Sequence, residues 1–97
     1  MDKSISLQGF KDFDPTEIDR IQSIVEKSLV KVQNKIDYNS LKITLKQHRK
    51  QTEFIHELTA EIFRNKGKSI YASMTHKNPF LAMTRLMDKI ITEVRKK

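Results

Sequence analysis

The chain contains no cysteine and no tryptophan, and only two glycines and two prolines. Without cysteine, disulfides and thiolate metal sites are excluded, and a reducing compartment is compatible. No apolar run approaches the length of a membrane span. The stretch from Met1 to Gln8 lacks the apolar segment of a signal peptide, so a cytoplasmic protein is expected. Signs of catalysis are equally scarce. There is no glycine-rich phosphate loop and no nucleophile motif. His56-Glu57-Leu58-Thr59-Ala60 begins like a zinc-protease helix, but the second histidine is missing and the segment reads as strand. His48, His56 and His76 show no ligand spacing. A protein with no catalytic residue, metal, cofactor or small-molecule substrate is therefore expected. His56 falls on the apolar side of an alternating run, where it reads as a half-buried, hydrogen-bonded imidazole.

Basic residues are what the chain has in excess. Its 97 residues, expected to form one domain over 1–97, carry 19 Lys and Arg against 12 Asp and Glu, a formal charge of +7. Such a surplus favours a polyanionic partner such as RNA, although net charge also serves solubility.

Because glycine and proline are rare, their positions punctuate the chain. Ile5 and Leu7 alternate with Ser4, Ser6 and Gln8, a short strand ending at Gly9. Asp14-Pro15-Thr16-Glu17 is a helix start, with a capping Asp, Pro in the first turn and Glu three residues beyond the cap. Ile21, Ile24, Val25, Leu29, Val32 and Ile36 follow at helical spacing until Asp37-Tyr38-Asn39. Phe10 and Phe13 are placed to staple the preceding loop to this helix. Then come three runs of period two. Leu41, Ile43 and Leu45 mark the first, and Gln47 to Gln51 read as a polar, basic turn. Phe54, His56, Leu58, Ala60 and Ile62 mark the second, and Asn65-Lys66-Gly67-Lys68 is a hairpin turn. Ile70, Ala72 and Met74 mark the third.

Asn78 and Pro79 open a last helix, as cap and first helical residue. Phe80, Met83, Met87, Ile90 and Val94 form its apolar stripe. The order is β-α-β-β-β-α. It predicts an α+β fold with a four-stranded, mainly antiparallel sheet and two helices on one face. A ferredoxin-like arrangement would need another helix between the last two strands. The roughly eight residues from Arg64 to Tyr71 leave no room for it.

On the helices, cations recur at helical spacing. Arg20, Lys27, Lys31 and Lys35 fall near one azimuth of the first. Arg85, Lys89, Thr92 and Lys96 fall opposite the apolar stripe of the second, which closes on Arg95, Lys96 and Lys97. Such seams suit phosphate contacts on folded RNA, and a merely solvated face is the plain alternative. Tyr71 and Phe63 could stack on bases, but strand aromatics are more often packing residues.

The chain resembles the ribosome hibernation-promoting factor and ribosome-associated inhibitor family, the sigma-54 modulation-type binders of the small ribosomal subunit. The resemblance covers nearly the whole chain. It rests on the element order, on Ile5-Ser6-Leu7-Gln8-Gly9, on Gly67-Lys68-Ser69-Ile70-Tyr71-Ala72-Ser73 and on the basic closing helix. Asn78, Phe80 and Thr84 stand where that family usually has Asp, Tyr and Asp. The resemblance implies a fold like that of double-stranded-RNA-binding domains. It also implies a non-enzymatic factor seated on the small subunit over the mRNA and tRNA path, which inhibits translation or protects idle ribosomes in stress. Lys27, Lys31, Arg85, Lys89, Arg95, Lys96 and Lys97 are the expected rRNA contacts. Some members carry a further dimerising domain, which is not expected here. The other functions compatible with the residues are a module for other structured RNA and a protein-interaction domain pairing through a sheet edge.

Overall fold

The computed structural model describes residues 4–96. The elements run β1 (Ser4–Gln8), α1 (Pro15–Gln33), β2 (Tyr38–Lys50), β3 (Glu53–Arg64), β4 (Ile70–His76) and α2 (Pro79–Arg95). The strands lie side by side in chain order. β1 is parallel to β2, and β2, β3 and β4 form an antiparallel meander. Both helices cover one face of the sheet, as the element order predicts.

The caps form as the sequence dictates. The Asp14 carboxylate accepts the Glu17 amide at 2.8 Å, and Glu17 accepts the Asp14 amide at 3.0 Å. Asn78 Oδ1 accepts the amides of Phe80 and Leu81. Each cap contributes about 1 kcal/mol. α1 ends at Gln33, with Asn34 as its C-cap, so Ile36 lies beyond the helix and is only half-buried.

Period two on the strands and period 3.6 on the helices bring the apolar positions into one core. Leu41, Ile43, Leu58 and Ile62 from the sheet, Ile21, Val25 and Val32 from α1, and Met83, Leu86, Met87 and Ile90 from α2 are all fully buried. Ala82, Leu86 and Ile91 widen the predicted stripe of α2. Phe80 is half-buried at the rim of this core. Its ring meets Phe13 edge-on at 6.4 Å, Phe13 meets Phe10 at 5.5 Å, and the Arg20 guanidinium lies 4.2 Å over the Phe80 ring. These contacts tie the loop after β1 to the starts of both helices. Gly9, at φ +87°, passes so close to β2 that a Cβ would overlap the Leu45 carbonyl oxygen.

One predicted turn is strand. β2 continues to Lys50, and the turn is only Gln51-Thr52, with Gln51 at φ +59°. Beyond the region paired to β1 both faces of the hairpin meet water, so the apolar alternation vanishes while the backbone ladder continues.

Candidate nucleic-acid interface

The two helices lie side by side in the same direction. Arg20 and Ile24 of α1 share a shallow depression with Phe80, Leu81 and Thr84 of α2, while Lys31, Val32 and Lys35 share another with Ile91, Val94 and Arg95. The basic azimuth of α1 thus faces the outer seam between the helices. Burial of Ile21, Val25, Leu29 and Val32 against the core fixes this rotation, because residues on other azimuths must turn away.

Two groups of cations result. Lys31, Lys35 and Arg95 line a groove of about 150 Å³ between the C-terminal ends of the helices. The C-terminal ends of both helix dipoles also favour cations there. Lys35 was not among the expected contacts, and it lies beyond the end of α1 at Gln33 rather than on the helix as its spacing predicts. Arg85 and Lys89 line a larger groove of about 540 Å³ between α2 and β4, with Asp88 and Glu93 beside them. Lys27 is exposed on α1 and stands apart from both grooves. Lys96 is exposed and pairs with Glu93 at 3.4 Å. Lys97 lies outside the described residues.

Two side chains do more than face solvent. Lys89 donates to the Ser73 carbonyl at 3.0 Å, so its ammonium sits on the outer edge of β4 rather than on the crown of the helix. Its long apolar stem allows this reach. Arg20 is held by Phe80, a contact that residue spacing within one helix cannot reveal.

The opposite face of the sheet is bare and differently charged. Lys42 is paired in register with Glu61, and Lys46 with Glu57. Tyr71, 59% exposed, and Phe63, 37% exposed, stand there too, so neither is the core packing residue that strand aromatics usually are.

His56 is half-buried as predicted, and its Nδ1–H donates to the Lys77 carbonyl at 3.0 Å. Pairing of β3 with β4 sets His56 beside His76, although they are distant in sequence. The Asn78 amide donates to His76 Nδ1, so that nitrogen is engaged in the turn into α2. Among the described residues no group of three or more His, Cys, Asp or Glu could hold a metal ion. Among them, too, no helix is long and apolar enough to cross a membrane.

The same fold occurs in solved structures, among them the following two. A ribosomal subunit interface protein from Coxiella burnetii superposes with a TM-score of 0.67 at 16% identity, over 96% of this chain and 94% of that one. The N-terminal domain of Thermus thermophilus Protein Y superposes with a TM-score of 0.58 at 14% identity, over 99% of this chain and 98% of that one. At such identities the likeness is one of fold. No family model and no curated protein matches the sequence.

Proposed function

We propose that this chain is a non-enzymatic, cytoplasmic factor that binds the small ribosomal subunit. Its outer helix surface engages rRNA phosphates, and the bound factor inhibits translation or protects idle ribosomes. The observation that carries this reading is the cation-lined groove between the helix ends, on a fold shared end to end with a protein described as a ribosomal subunit interface protein. Lys27, Lys31, Arg85, Lys89, Arg95, Lys96 and Lys97 are the proposed contacts, with Lys35 added by its place in the inter-helix groove. No metal or cofactor is needed, because phosphate recognition of this kind rests on charge and shape. Dimerisation through the sheet edge is less well supported, since Lys89 occupies the outer carbonyl of Ser73, a way of blunting an edge strand.

Sucrose-gradient sedimentation with purified ribosomal subunits tests the proposal. Co-sedimentation with the small subunit at low salt, lost as salt rises, is the expected result. Protein that stays at the top of the gradient at low salt contradicts it.

A further inference from the structure

The β2–β3 hairpin outruns its neighbours. β1 pairs with β2 only from Ser40 to Thr44, and β4 pairs with β3 only from His56 to Ile62. From Lys46 to Ile55 the two strands therefore have only each other, as a twisted ribbon closed by Gln51-Thr52. Phe54 sits on this ribbon 54% exposed, directly across from Arg49. Ile55 follows it and so points to the other face, across from His48. The two apolar side chains thus form no common patch, as a protein-docking surface would require. Arg49 stands directly across from Phe54 on the same face, whereas Lys46 and His48 of that strand point to the other face.

A two-stranded ribbon alone is only marginally stable in water. This one is braced along β3, from its base to near its tip. His56 Nδ1–H donates to the Lys77 carbonyl at 3.0 Å, and Lys77 Nζ lies 2.9 Å from Glu53. Both contacts join β3 to the loop before α2. The brace engages Glu53, the carboxylate nearest the tip, and leaves Arg49 to set the charge beside Phe54.

From this arrangement we infer that the ribbon is a second RNA-contacting element, in which Phe54 stacks on an unpaired rRNA base while Arg49 holds a flanking phosphate. An aromatic face accepts any base, and a cation beside it can hold the backbone, so the pairing suits exposed single-stranded RNA. The inference rests on the small-subunit reading above, but it uses none of the residues on which that reading depends.

The test replaces Phe54 with the photo-crosslinking residue benzoylphenylalanine, binds the protein to small ribosomal subunits, irradiates, and identifies the attached component. Crosslinking to rRNA is expected. In parallel, Phe54→Ala should weaken subunit binding about 5- to 100-fold, the range for loss of one base stack. Its salt dependence should stay parallel to wild type, whereas Arg49→Ala should lower the slope by about 1. Melting temperature should be nearly unchanged in both variants, since both side chains are exposed. Crosslinking to a ribosomal protein, or no crosslink from bound protein together with wild-type affinity of Phe54→Ala, overturns the inference and leaves the helix surface unaffected. Failure of the wild-type protein to co-sediment with subunits overturns the small-subunit reading itself, and this inference with it.

Discussion

Lysine means different things on the two faces of this protein. On the bare sheet face Lys42 and Lys46 stand directly opposite Glu61 and Glu57, so each charge has a carboxylate in register. Cross-strand pairs of this kind contribute a few tenths of a kcal/mol and cancel most of the outward field. On the helix side, Lys31, Lys35 and Arg95 converge with no acidic residue lining their groove. The groove of Arg85 and Lys89 is milder, because Asp88 and Glu93 share it. An excess spread evenly would make a soluble surface. Here Lys42 and Lys46 are matched in register on one face, while Lys31, Lys35 and Arg95 converge without an acid on the other. Where the positive potential gathers depends on registers and azimuths more than on the count of basic residues.

Both faces stand on one core, so the largest expected effect removes both. Met87 is fully buried, and Met87→Asp should cost about 3–5 kcal/mol, an unpaired charge in apolar surroundings. Chemical denaturation would show it as a midpoint shifted close to unfolding in buffer, and a near-native midpoint would contradict the packing described. Gly9→Ala should cost roughly 3 kcal/mol, from the positive φ and the collision with the Leu45 carbonyl. Thermal melts should fall by roughly 10–20 °C, at the few degrees per kcal/mol usual for domains of this size. Next comes the helix face. Replacing Arg85, Lys89 and Lys96 by Ala should barely move the melting temperature, yet weaken subunit binding about 10- to 1,000-fold at moderate salt. The smallest effect belongs to the sheet face. Glu57→Lys with Glu61→Lys sets like charges opposite each other and should cost up to about 1 kcal/mol. Subunit affinity should change by less than roughly threefold, because the reversed residues lie away from the docking side. A larger change would move the interface to the sheet.

Much of this was legible in the sequence, for identifiable reasons. Asp14, Glu17 and Asn78 act through local hydrogen bonds, so residue type and spacing were enough to place both helix starts. Leu41, Ile43 and Leu45 alternate because one face of their strand is buried. The same signal failed at Gln47 to Lys50, where both faces are wet and polarity mimicked a turn. Gln51 carries the positive φ of the true turn without being Gly or Asn, so nothing in its type announced it. On the surface, helical spacing put Lys27, Lys31 and Arg85 on exposed positions. It could not show that Lys89 reaches Ser73, that Arg20 is taken up by Phe80, or that Lys35 joins Arg95, since each contact crosses between elements. Phe54 was legible as a strand residue, but its exposure follows from where β1 and β4 end.

The most direct measurement is the salt dependence of small-subunit binding for two variants beside wild type. One loses Lys31, Arg85 and Arg95 from the helix face, and the other loses Lys42 and Lys46 from the sheet face, all as Ala. If the helices carry the phosphate contacts, the slope of log affinity against log salt should drop by roughly 0.7–0.9 for each helix cation removed, and should match wild type in the sheet variant. A helix variant with the wild-type slope, or a sheet variant that loses the larger share, would contradict the account.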